Sequence, residues 1–181
     1  MSVTRAVQPA GAARSIRSRA DLAAQRRRRP PRCLDHLIAA PLWPKYGVNL
    51  GTLLRTCDAV GACLAVPKRP WVPDALERGN TLRHPACVHW VDRPLRWLAT
   101  QQASGNAVIG VELVDGAIRL ADLPAARRRT VVVLGNESDG IPDDALQLLD
   151  TAVEIPMVGV GHSLNVAVAG SLVLYRLAGL M

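Results

Sequence analysis

The run Thr130-Val131-Val132-Val133-Leu134-Gly135-Asn136-Glu137-Ser138-Asp139-Gly140 decides how this chain folds. Its first five residues are β-branched or aliphatic without polar alternation. A strand of that kind is covered on both faces, as strands of parallel sheets are. It ends in small and acidic residues, and open parallel sheets collect ligands beyond the carboxyl ends of their strands. Asp139-Gly140 is a turn signal, and Pro142 is well placed to start a helix over Asp143–Leu149.

Working outward, the same alternation recurs. Leu37–Leu42 reads as a first strand, followed by a Pro- and Gly-containing loop and a helix over Leu50–Val60. That helix has apolar positions at Leu50, Leu53, Leu54, Cys57 and Val60, with Asn49 as N-cap and Gly61 as stop. Ala62–Val66, Cys87–Val91, Ala107–Leu113 and Ala152–Ile155 read as further strands, Leu95–Gln102 as a helix and Ser163–Ala178 as the closing helix. The pattern predicts an α/β domain with a mostly parallel sheet flanked by helices.

The chain has 181 residues, 49% hydrophobic and 20% charged, which suits one domain with a sizeable core. Phe is absent and aromatics make up 3%, so Leu, Val and Ala must build that core, and base stacking has few residues to draw on. The net charge of +7 is unevenly placed: residues 1–32 hold nine Arg and one Asp, and the rest holds thirteen basic against fourteen acidic residues. Residues 1–32 therefore read as a flexible basic arm and residues 33–181 as the folded domain. Such an arm neutralises phosphates by a sequence-independent, salt-sensitive term. A solvated tail or an anionic-membrane contact is the plainer reading.

No apolar stretch follows the first basic residues, and none approaches the roughly 18 residues of a membrane span. A cytoplasmic protein without membrane contact is expected. Cys33, Cys57, Cys63 and Cys87 form no C-x-x-C pair, so reduced thiols are expected, with neither a zinc site nor a disulfide framework.

Three segments carry polar residues at element ends. In Asn49-Leu50-Gly51-Thr52-Leu53-Leu54-Arg55-Thr56, the arginine can meet phosphate bidentately, although a surface pair with Asp58 is the simpler role. In Leu134-Gly135-Asn136-Glu137, the small residues admit a ligand to the backbone, although Glu137 could merely favour a helix N-terminus. In Ile155-Pro156-Met157-Val158-Gly159-Val160-Gly161-His162-Ser163-Leu164-Asn165, Gly159 and Gly161 permit positive φ, and Ser163 and Asn165 stand at a helix entrance, with Ser163 as N-cap. His162 has no partner that can be named. No G-x-G-x-x-G, Walker, metal-ligand or G-x-S-x-G pattern is present, which disfavours those enzyme classes.

Taken in order, Asn49-x-Gly51-x-x-x-Arg55-Thr56, Leu134-Gly135-Asn136-Glu137-x-x-Gly140-Ile141 and Ile155-Pro156-Met157-x-Gly159-x-x-x-Ser163-Leu164-Asn165-Val166 resemble the SpoU (TrmH) family of RNA ribose 2′-O-methyltransferases, in the SPOUT superfamily. The resemblance covers about residues 34–178. It implies a C-terminal deep trefoil knot, a rare exception among folds, and a homodimer with sites at its interface. It implies S-adenosylmethionine as cofactor, lined by Leu134, Gly135, Ile155, Met157, Ser163 and Leu164, and no metal. Asn49, Arg55, Glu137, Ser163 and Asn165 would form the polar catalytic set. The family's arginine is proposed as base, but a guanidinium stays protonated, so a positioning and charge-stabilising role for Arg55 is the firmer expectation.

The implied partner is RNA, tRNA slightly ahead of rRNA because the arm takes the place of a separate RNA-recognition domain, and DNA is not expected. Lys45, Arg83 and Arg127–Arg129 are candidates for a basic surface. A catalytically idle RNA-binding module of the same fold is the alternative, and a nucleotide-dependent oxidoreductase a third.

Overall fold

The computed structural model describes residues 36–78, 80–82, 87–161 and 163–181. The basic arm expected over residues 1–32, together with Arg83 and His162, lies outside the described residues.

Among the described residues, seven strands form one sheet. They are β1 (Leu37–Ala40), β2 (Cys63–Pro67), β3 (Val88–Val91), β4 (Ala107–Val111), β5 (Ile118–Arg119), β6 (Thr130–Leu134) and β7 (Thr151–Glu154), in the order β3-β2-β1-β6-β4-β7-β5. Every pairing is parallel. The helices are α1 (Val48–Val60), α2 (Val72–Glu77), α3 (Pro94–Ala103), α4 (Asp143–Leu146) and α5 (Val166–Leu177). The expected parallel α/β sheet flanked by helices is thus the observed fold.

Period-two alternation along apolar strands gives the sheet two cores. Leu37, Ala39, Leu64, Val66, Val132 and Leu134 point to the side covered by α1, α2 and α5. Ile38, Ala40, Cys63, Ala65, Val131 and Val133 point to the other, where Leu98 of α3 and Ala145 of α4 meet them. Both sets are buried, which is why the central strands carry no polar alternation.

The last helix does not stay beside the strand that leads to it. From β7 the chain returns past β4, and α5 packs against α1, β6 and β1. Gly170 makes this possible, because a Cβ there would collide with Leu134 and Leu53. The connection over residues 155–165 therefore crosses the carboxyl end of the sheet.

Several local expectations are corrected. Helix α1 begins at Val48 with Gly47 before it, so Asn49 lies within the first turn and is not the N-cap. Helix α5 begins at Val166, and its cap is Asn165, whose side chain accepts from the backbone of Ala167 and Val168; Ser163 lies outside the helix. Gly159 and Gly161 are not among the glycines at positive φ, whereas Gly61, the expected stop of α1, has φ 76°. Helix α2 and strand β5 were too short, at six and two residues, to show periodicity.

The cysteine reading is also corrected: Cys63 and Cys87 form a disulfide. They are 24 residues apart, and only the parallel register of β2 and β3, which pairs Leu64 with Val88, brings them opposite one another. His89 Nε2 lies 3.6 Å from the Cys87 sulfur, and the donor atoms of all three residues fall within 4.8 Å of one another. Cys57 is free and buried. Among the described residues, no helix is long and apolar enough to cross a membrane.

Candidate active site

The connection after β1 runs outward to β2, and the one after β6 runs the other way to β7, so the sheet's strand order diverges between the neighbours β1 and β6. A crevice opens at the carboxyl end of such a switch point. Three loops border it: the one before α1, the one after β6, and the one from β7 to α5.

Asn49 sits at this crevice with 6% of its surface exposed. Its Nδ2 donates to Glu137 Oε1, and its Oδ1 accepts from Asn165 Nδ2 at 3.0 Å. The orientation of each amide follows from its neighbours. Asn165 Oδ1 is committed to capping α5, through Ala167 N at 2.9 Å and Val168 N at 3.3 Å, so its NH₂ is what remains to donate. Glu137 can only accept when ionised, so Asn49 turns its NH₂ that way. One residue from each of the three sequence segments is thereby joined in a single chain of hydrogen bonds.

Glu137 is held further. Its Oε2 accepts from the backbone N of Lys45 at 3.3 Å, and Lys45 Nζ donates to Ser138 Oγ. The loop that carries it is a tight structure: Asn136 Oδ1 accepts from Ser138 N at 2.8 Å and Asp139 N at 2.7 Å, and Asn136 pairs with Gly140 in an antiparallel bridge. Gly140 has φ 69°, and a Cβ on Gly135 would strike the backbone of Gly140 and Ile141. Both glycines are demanded by the loop's own folding.

Sequence reading missed Glu112 at the end of β4. Its Oε2 accepts from Ile141 N at 2.9 Å and it fills the space beside Gly140, bracing the Glu137 loop from the next strand. The signal available was a lone carboxylate following a buried strand, which is too common to single out. Lys45, expected only as part of a basic surface, and Ser138 join the site through contacts that sequence does not show.

Arg55 lies six residues beyond Asn49 on α1, is exposed, and forms no ion pair with Asp58 or any other described residue. Nothing ties it to the Asn49 cluster, so its side chain is available to an incoming group. The next residue, Thr56, shares a 2.8 Å hydrogen bond with Ser171, fastening α1 to α5. Leu134 is buried in the core at the end of β6, and Gly135, half-buried, follows it. Ile155 packs partly against the core. Met157 and Leu164 are 40% and 41% exposed, Val158 and Val160 are fully exposed, and Ser163 is exposed beside them. The β7–α5 connection thus presents several neighbouring apolar side chains outward.

Sheet, switch point and the joined loops define an α/β protein with a candidate site at the carboxyl end of a parallel sheet. The chain belongs to the SpoU rRNA Methylase family, whose model matches residues 43–175. It is 35% identical, over 72% of its own length and 53% of the other, to the 23S rRNA (guanosine(2553)-2′-O)-methyltransferase RlmP of Bacillus subtilis. It is 28% identical, over 71% of its length and 62% of the other, to the tRNA (guanosine(18)-2′-O)-methyltransferase of Aquifex aeolicus. The chain therefore spans somewhat more than half of each of these relatives. The crystal structure of the SpoU methyltransferase AviRb from Streptomyces viridochromogenes in complex with the cofactor AdoMet superposes with a TM-score of 0.64 at 26% identity, covering 84% of this chain and 62% of that one.

Proposed function

We propose that this chain transfers a methyl group from S-adenosylmethionine to a ribose 2′-hydroxyl of RNA, with tRNA favoured over rRNA. The observation that carries the reading is the junction of Asn49, Glu137 and Asn165, which draws three separate family segments into one polar cluster. Relatives named for methylating tRNA and 23S rRNA support it.

The residues at the crevice fit the cofactor. Met157 and Leu164, both exposed, would offer apolar cover for an adenine ring, and the backbone of Leu134, Gly135 and Ile155, with exposed Ser163, would offer polar groups to it. When bound, the cofactor supplies an electrophilic sulfonium methyl. The chain's own work is to hold the ribose in line and to manage the proton that leaves its hydroxyl. Glu137, oriented by Asn49 and Lys45, accepts hydrogen bonds and fixes the ribose. Arg55, exposed and always cationic, holds the adjacent phosphate and stabilises the developing negative oxygen.

The return of the chain from β7 to α5 across the sheet's end is the path a C-terminal trefoil knot requires, and we include that knot in the proposal. The outward apolar side chains Val158 and Val160 favour a homodimer that covers them. The basic residues 1–32 would add phosphate contacts.

The test is methyl transfer from labelled S-adenosylmethionine to unmodified tRNA and rRNA presented separately, with nuclease digestion to identify the nucleoside. A 2′-O-methylated nucleoside from one pool is expected. Cofactor binding without incorporation into either pool would favour the idle-module alternative.

A further inference from the structure

Away from the Asn49 cluster, an open cleft of about 520 Å³ is lined by Lys68, Arg69, Pro70, Pro73 and Trp90. Trp90 is 48% exposed on the edge strand β3, in a chain with only four tryptophans. Two prolines make rigid apolar walls, Lys68 and Arg69 add their stems and cationic heads, and among the described residues no carboxylate lines the cleft. A half-exposed indole in a cleft that two cationic side chains also line suits a ligand that is flat and apolar at one end and anionic at the other. A nucleotide of single-stranded RNA has that form: its base stacks on the indole and its phosphates meet the cations.

Position supports this occupant. Lys68 and Arg69 directly follow β2, and Trp90 stands near the end of β3, so the cleft opens at the carboxyl edge of the sheet, as the Asn49 cluster does. β3 is two strands from β1, which at parallel spacing is roughly 10 Å across the sheet. The loop entering α1 packs on α2, the helix that carries Pro73 of the cleft, since Gly47 lies against Trp71 and Ala75. Lys45 and Tyr46, exposed in the same loop, place a further cation and aromatic ring beside Glu137.

We infer that the Lys68–Arg69–Trp90 cleft binds an unpaired nucleotide of the substrate RNA, close in sequence to the one whose ribose reaches Asn49 and Glu137. This rests on the proposed RNA methylation and adds to it a second point of RNA attachment. It also means that scarce aromatic residues still supply one stacking surface.

The experiment compares the full chain with Trp90→Ala, Trp90→Phe and Lys68→Ala/Arg69→Ala. It measures affinity for fluorescein-labelled unmodified tRNA by anisotropy across a salt series, cofactor affinity by calorimetry, and oligomeric state by sedimentation. Trp90→Ala should weaken RNA binding about 10- to 100-fold, with Trp90→Phe recovering most of it. The double variant should lower the log–log salt slope by one to two. Cofactor affinity should stay unchanged in all three, which also reports that they fold. RNA affinity within about twofold of the parent, or a change in oligomeric state in its place, would overturn the inference and mark the cleft as a protein contact. A parent chain that binds and methylates RNA while Trp90→Ala behaves identically would sink this site alone, whereas a parent that binds no RNA would sink the methylation reading with it.

Discussion

Asn165 donates through Nδ2 to Oδ1 of Asn49, 3.0 Å away and 116 residues earlier in the chain. Asn165 is also the cap of α5, so the start of the last helix and the first turn of α1 are set by one side chain. The two roles can be separated. Asn165→Asp keeps the cap, since Asp caps as well as Asn, but replaces the donor by an acceptor facing an acceptor. Stability should change by less than about 1 kcal/mol while the single-turnover methylation rate falls on the order of 100-fold. Urea titration and rapid-quench assays on the same preparation would show it, and an unchanged rate would remove Asn165 from the reaction.

Arg55 is exposed and has no described partner, so its loss costs the fold nothing. Arg55→Ala should abolish methyl transfer with cofactor affinity and melting temperature unchanged. Arg55→Lys should recover little, because a point charge does not reproduce a bidentate contact with phosphate. Turnover of the lysine variant near that of the parent would show that charge alone suffices.

Two glycines of the family segments should behave oppositely. A Cβ on Gly51 would collide with the carbonyl oxygen of Arg78, at the end of α2, whereas one on Gly159 would meet nothing within 4 Å. Gly51→Ala should cost about 1 to 3 kcal/mol, and Gly159→Ala should leave the urea midpoint in place. A neutral Gly51→Ala would mean that α2 can shift away from α1.

The Cys63–Cys87 disulfide closes a segment of 24 residues and ties edge strand β3 to β2. On chain-entropy grounds its reduction should cost roughly 3 kcal/mol. Thermal melts with and without a phosphine reductant should differ for the parent and coincide for Cys87→Ser. Coincident melts for the parent would show that the pair is already reduced in solution.

Burial pushes the Cys57 thiol up to about 12 from 9.0. Below pH 9.0 the folded and unfolded chains both keep this proton, and stability does not depend on it. Between pH 9.0 and about 12 the unfolded chain releases it first, so stability falls as pH rises. The loss reaches about 2 kcal/mol near pH 10.5. Chemical denaturation at about pH 8 and pH 10.5 should show this decline in the parent and a flatter one in Cys57→Ala. Equal slopes would mean that the thiolate is accommodated.

Some of this protein was legible locally. Val131, Val132 and Val133 announce a doubly covered strand, and Leu50, Leu53, Leu54 and Cys57 announce α1, because burial of a face imposes a period on the residues that fill it. Helix α2 was hidden because six residues span less than two turns. The polar candidates Asn49, Glu137 and Asn165 were nameable as a set only through family resemblance.

The sequence by itself determined the alternation of strands and helices, the two-sided burial of the sheet and the small residues that its carboxyl-end loops need. Those are properties of neighbouring residues, set by side-chain volume, polarity and backbone freedom. The tertiary structure alone decided that Asn49 is an inner residue bonded to Glu137 and Asn165 and not a cap, that Glu112 braces Gly140, that Cys63 meets Cys87, and that Trp90 stands open beside Lys68 and Arg69. Each depends on strand order and register across tens of residues, where no local period records which side chains come to face one another.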